Sequence, residues 1–140
     1  MNNEEIMASV ELEIILKAGK ILLSSGAEIS RTEDTMNYIA RAMNFKDLEA
    51  YVSNRGIFAT AKKADGTEIT RICNVPEVDI NLSKIESVNA LSRRVTQKNI
   101  TIEEIESELN QIDTMSDYSF FWRLVAYTLG ASGFSYAIGS

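Results

Sequence analysis

Residues 48–74 read LEAYVSNRGIFATAKKADGTEITRICN, and their rhythm decides the fold class. Leu48, Ala50 and Val52 alternate with Glu49, Tyr51 and Ser53, and the same period of two resumes in GIFATAKK after the turn SNRG. Side chains on a strand point alternately to its two faces, so this period marks strands with one covered face. Asp65-Gly66 is a two-residue hairpin signal, because the tight turn that suits twisted strands needs positive φ at both central positions. Three short antiparallel strands follow. A two-residue loop sets Ala64 opposite Thr67, Lys63 opposite Glu68 as a cross-strand charge pair, and Thr60 opposite Arg71. Arg71 then shares a side with Ile69 and Cys73, on a partly covered face.

Outward in both directions the period becomes that of a helix. From about Glu4 to Leu23, Met7, Val10, Ile14, Ala18 and Ile21 recur at steps of three and four, with Ile15 and Leu22 widening the stripe. Gly26, in the SSG that follows, suits the left-handed conformation found just past a helix end. A second helix carries Ile29, Met36, Ile39, Ala40 and Met43 on one face. Two capping boxes compete for its start, Ser25 with Glu28 and Ser30 with Glu33. The place of Ile29 in the apolar stripe favours the earlier one.

Past the single proline, Pro76, the residues Leu82, Ile85, Val88, Leu91 and Val95 restore helical spacing over residues 81–97, with Asn89 and Ser92 projecting onto the apolar face. The capping box Thr101 to Glu104 opens a further helix, residues 101–113, apolar through Ile102, Ile105, Leu109 and Ile112 and acidic on its other side. The final segment, SFFWRLVAYTLGASGFSYAIGS, holds one charge, Arg123. From Leu124 to Ser140 a helix rises roughly 25 Å, against a hydrocarbon core of roughly 30 Å. Ala126, Gly130, Gly133 and Ala137 are spaced as in closely packed membrane helices, and Trp122 and Arg123 suit an interface. A transmembrane helix that is cut off and a buried C-terminal helix both fit this composition. The expected class is α+β: two N-terminal helices, a three-stranded antiparallel sheet, then helices, the last being the start of a transmembrane helix.

Composition bounds the chemistry. At 140 residues the chain holds one ordinary domain. It has no histidine, which removes Ser-His-Asp triads, Cys-His pairs and the common His-containing zinc sites. No catalytic residue, metal site or cofactor motif is assigned. One cysteine, Cys73, leaves no intrachain disulfide, and the acidic start MNNEE is no cleavable signal, which together predict a reducing, cytoplasmic setting. A net charge of −6 without a Lys/Arg stripe argues against nucleic acid.

The charged cluster after SSG admits three readings. Glu28, Arg31, Thr32, Asp34 and Thr35 stand three or four apart, a patch one turn long that serves as a solvated, capped helix start. Alternatively Ser25 and Gly26 expose N–H groups at a helix N-terminus that bind the carboxylate of an amino acid, while Glu28 or Glu33 takes its ammonium. Arg71, Asn89 and Ser92 would add polar contacts, or Arg71 would pair structurally with one of the acids. Acid–base work by two carboxylates such as Glu28 and Asp34 is the third.

The pieces SSGAEISRTEDTMNYIARAM, YVSNRGIFATA, TRICNVPEVDINLSKIESVNALSRRV and YTLGASGFSYAIGS together resemble the N-terminal part of the threonine/serine exporter family of bacterial inner-membrane proteins. The resemblance runs from about residue 8 to the end. It implies a cytoplasmic α+β domain over residues 1–116 and a truncated first membrane span over residues 117–140, in a protein that exports small amino acids or dicarboxylates. The implied partners are the membrane, a second membrane subunit or a homo-oligomer, and a small amino acid or dicarboxylate. A soluble hydrolase-like or small-molecule-binding domain is the alternative.

Overall fold

The computed structural model describes residues 2–115. Seven elements follow in the order α1 (Asn3–Ser24), α2 (Ile29–Ala42), β1 (Phe45–Val52), β2 (Gly56–Lys63), β3 (Glu68–Asn74), α3 (Leu82–Thr96) and α4 (Ile102–Asp113), an α+β arrangement with the expected element order. The expected start of a transmembrane helix at residues 117–140 lies outside the described residues. Among those described, no helix is long and apolar enough to cross a membrane.

α1 is the axle. It is apolar nearly all round, and such a helix must be covered on every side. Accordingly α2, α3, α4, β2 and β3 all pack against it. Leu12, Ile15, Ile21 and Leu22 are fully buried, whereas Met7 at the outer end stays exposed. The approach to α2 and the sheet is close at Gly19, where an added Cβ would stand 2.7 Å from Met36 Sδ and 2.9 Å from Ile57 Cδ1. A side chain there would overpack the centre of the domain.

The strands run β1-β2-β3 in one antiparallel sheet. Ile57, Ala59, Ala61 and Ile69 face the helices, while Tyr51, Phe58 and Ile72 face outward in one cross-strand row. The register differs by one residue from the expectation. Lys62 opposes Glu68 and Ala59 opposes Arg71. The reason is the loop. Lys63 N–H donates to Thr67 O at 2.8 Å, closing three residues, Ala64 to Gly66, with Gly66 at φ 95°. That is the three-residue hairpin in which glycine takes the left-handed position. Asp65 Oδ1 accepts from Thr67 N–H at 2.9 Å, which holds its carboxyl below the ordinary value. β1 begins earlier than its alternation suggests, at Phe45, with a bulge before Asp47.

One polar tie crosses the interior. Lys63 Nζ lies 3.0 Å from Glu11 Oε1, donates to Met43 O at 2.6 Å and sits 4.2 Å from the centre of the Phe45 ring. The ammonium thereby joins α1, the end of α2 and the first strand through β2. At the other side Asn81 caps α3 by accepting from Lys84 N–H at 3.1 Å, and Thr101 caps α4 by accepting from Glu104 N–H at 3.2 Å. Leu82, expected in the apolar stripe of α3, is exposed because it stands in the first turn, outside the packed face.

Candidate functional site

The SSG corner is the end of α1 and not the start of α2. Gly26 N–H donates to Leu23 O at 3.1 Å and Ala27 N–H to Leu22 O at 2.9 Å, the paired bonds of a Schellman ending, with Gly26 at φ 99°. Ser25 N–H donates to Ile21 O, and the residue is buried. The amides of Ser25 and Gly26 are therefore engaged within the chain and do not form the carboxylate cradle that the sequence suggests. Even the carbonyls are used: Asp79 N–H donates to Ser24 O at 2.9 Å and Asn81 N–H to Ser25 O at 3.0 Å, which stitches residues 79–81 to the helix end.

Neither capping box forms. Glu28 is itself the N-cap of α2, and its side chain makes no capping bond. Its carbonyl accepts from the Thr32 hydroxyl at 2.9 Å. Ser30 lies inside the helix, and Ile29, which favoured the earlier start, is exposed. Arg31 and Asp34 are exposed, Glu33 is half-buried, and among the described residues no ion pair joins Arg31 to Glu28 or Asp34.

The other expected members stand elsewhere. Asn89 and Ser92 do face inward, forming a polar seam between α2 and α3: Thr35 Oγ1 lies 3.5 Å from Asn89 Oδ1, and Ser92 Oγ donates to Asn89 O at 2.7 Å. Arg71 lies on the covered side of β3, as its alternation predicts, but its guanidinium donates to Ser9 Oγ and lies 4.0 Å from Glu13 Oε1. Ser9 is about 24 Å from Ser25 along the α1 axis at about 1.5 Å per residue. One ligand the size of an amino acid does not touch both.

Around Arg71 lies a different constellation. A cavity of about 290 Å³ opens between α1 and β3, lined by Glu13, Lys17 and Lys20 from α1, Arg71 and Cys73 from β3, and Asp113 at the end of α4, with Leu16 also on its wall. Helical spacing puts residues 13, 17 and 20 on one side of α1, and strand alternation puts Arg71 and Cys73 on one side of β3. Lys17 Nζ donates to Asn110 Oδ1. Burial pushes the Cys73 thiol above its ordinary pKa, and the nearby Lys20 ammonium opposes that push. Lys17, Lys20, Glu13 and Asp113 are absent from the sequence-derived candidates. The signal that would have found them is the coincidence of two periods, a polar helix stripe and the inward set of an edge strand. Which helix covers that strand is tertiary information.

Asn81 Nδ2 donates to Met115 O at 3.3 Å, and the Ser87 hydroxyl lies 3.8 Å from Met115 Sδ. The sequence neighbours of Asn81 are Ile80 and Leu82, exposed at 66% and 58%.

A family model described as threonine/serine exporter matches residues 13–140. No curated protein and no solved structure matches the chain.

Proposed function

Since the chain belongs to the threonine/serine exporter family, we propose that residues 2–115 form the cytoplasmic domain of a bacterial inner-membrane exporter of small amino acids or dicarboxylates. The domain acts in assembly, gating or substrate sensing at the inner mouth of the pore. The observation that carries this reading is the anchoring of Met115. It is held by the N-cap residue of α3 four residues before the segment SFFWRLVAYTLGASGFSYAIGS begins at Ser119. Ile80 and Leu82, exposed apolar residues beside that anchor, suit contact with a further apolar surface. The acidic outer face of α4, with Glu103, Glu104 and Glu106 exposed, suits the basic cytoplasmic loops of a membrane partner. That partner is a second membrane subunit or another copy of the chain. The domain works by binding and not by catalysis of its own, in keeping with a chain that lacks histidine.

Efflux of L-threonine from preloaded cells carrying the intact exporter tests the proposal. Asn81→Ala and the pair Ile80→Glu/Leu82→Glu are expected to slow efflux with the protein still in the membrane fraction. A membrane-impermeant maleimide should label Cys73 in inverted vesicles and not in whole cells. Unchanged efflux in both variants, or a chain recovered entirely in the soluble fraction, would overturn it.

A further inference from the structure

We propose that the cavity between α1 and β3 binds a small organic carboxylate. The inference deepens the sensing role proposed above and names a site for it. Its failure would leave the efflux experiment untouched.

Charge is the first argument. The protein carries a net −6, yet three cations, Lys17, Lys20 and Arg71, converge on this one cavity against two carboxylates, Glu13 and Asp113. A local excess of positive charge in an acidic protein costs nothing in self-repulsion if an anion visits it, and it focuses anions from solution.

Pairing is the second. Among the described residues Lys20 has no carboxylate within salt-bridge range, and neither has Lys17, whose ammonium donates to the neutral amide of Asn110. Arg71 reaches Glu13 only at 4.0 Å, between a partly covered guanidinium and a well-exposed carboxylate, an arrangement worth little in water. Contrast Lys63, which is surrounded by a carboxylate, a carbonyl and a ring. Lys17 and Lys20 thus stand on the cavity wall with no carboxylate paired to them among the described residues.

Size and chemistry select the ligand. About 290 Å³ equals roughly ten water volumes, room for a small metabolite but below the usual range for drug-sized pockets. Two of the five guanidinium N–H donors of Arg71 are taken by Thr70 O and Ser9 Oγ, which leaves three for an oxyanion. Glu13 and Asp113 disfavour the higher charge of a polyphosphate, and they offer acceptors to an ammonium. A carboxylate remains, carried by an amino acid or by a dicarboxylic acid whose second charge meets the excess of cations. Leu16 and the thiol of Cys73 supply the apolar wall for its carbon chain.

Cys73 is the only cysteine and lies in the cavity wall, so it reports on the site directly. The experiment compares its alkylation by iodoacetate, itself a carboxylate, and by neutral iodoacetamide in the full chain in neutral detergent. Taking the ratio of the two rates removes any change in thiolate fraction, which acts on both reagents alike. The ratio is expected to exceed that of the urea-unfolded chain by roughly tenfold, the low end of electrostatic focusing in a cleft. It should fall toward the unfolded value in Lys20→Met and in Lys17→Met. Succinate or L-serine should then protect Cys73 from iodoacetamide saturably, beyond a sodium chloride control of equal ionic strength, and should not do so in Lys20→Met. Protection by succinate alone assigns a dicarboxylate. Protection by L-serine, alone or as well, assigns the α-carboxylate of an amino acid. A ratio no higher than in the unfolded chain, a ratio unaffected by both lysine variants, or no protection by either ligand would each overturn the proposal.

Discussion

Two polar regions lie along the same helix, the SSG corner at its end and the α1–β3 cavity on its flank, and they use their polar groups in opposite ways. At the corner the backbone groups that looked available are engaged: the amides of Ser25 and Gly26 close α1, and the carbonyls of Ser24 and Ser25 hold residues 79 and 81. In the cavity three cations have one acid, at 4.0 Å, between them, and their other acceptors are neutral: the Asn110 amide, the Ser9 hydroxyl and the Thr70 carbonyl. Polar density in a sequence therefore does not mark a site. What marks it is polar capacity left over once the fold has satisfied its own backbone.

The contrast breaks first at Lys63, the cation that the interior does satisfy. Lys63→Met leaves the Glu11 carboxylate, 8% exposed, without its partner, and should cost about 3 kcal/mol in a urea titration. A loss below about 1 kcal/mol would place Lys63 in the same class as Lys20. Next comes Asn81, which caps α3 and anchors Met115. Asn81→Ala should cost about 1–2 kcal/mol, a fall in melting temperature of several degrees. Gly26→Ala forces a Cβ into φ 99° and to 3.3 Å from Ile80 Cγ1, with an expected loss of about 1 kcal/mol. None of these three should change the iodoacetate-to-iodoacetamide ratio at Cys73 while the domain stays folded.

The smallest effects sharpen the comparison from the other side. Glu28→Ala removes a side chain that makes no capping bond, and Lys20→Met removes one without an ion pair, so each should alter stability by less than about 0.5 kcal/mol. Only Lys20→Met should also alter the alkylation ratio. Burial raises the Cys73 pKa, so its alkylation by iodoacetamide should begin at higher pH in the folded than in the unfolded chain. The folded state holds that proton more tightly. Its contribution to stability is complete below the ordinary thiol pKa and is lost as pH rises through the raised one.

Much of the fold is legible in the residues, because period two in 48–74 and the helical period elsewhere report which face is covered. All seven elements follow from those rhythms, and so does the inward side of Arg71. Local chemistry misleads where one motif serves two geometries. Ser25 and Glu28 have capping-box spacing, yet the same serine closes the preceding helix, since Gly26 takes the left-handed position first. Asp65-Gly66 allows a two- or a three-residue loop, and the choice shifts every partner on β3 by one. The cavity is illegible for a different reason. Lys17 and Lys20 look like an ordinary solvated stripe until β3 is known to lie beside it.

The charges on α1 have a further consequence, at synthesis. This helix precedes the elements that cover it, and the last of them, α4, closes only at Asp113. At about 5–20 residues per second its partners arrive over roughly 4–18 seconds, and through that interval a long apolar helix waits uncovered at the ribosome. Glu11, Glu13, Lys17 and Lys20, spaced two to four residues apart, interrupt its hydropathy so that it does not qualify as a membrane span. The side chains that line the cavity and anchor Lys63 in the finished domain thus keep the newborn helix from being mistaken for the kind of segment that enters a bilayer.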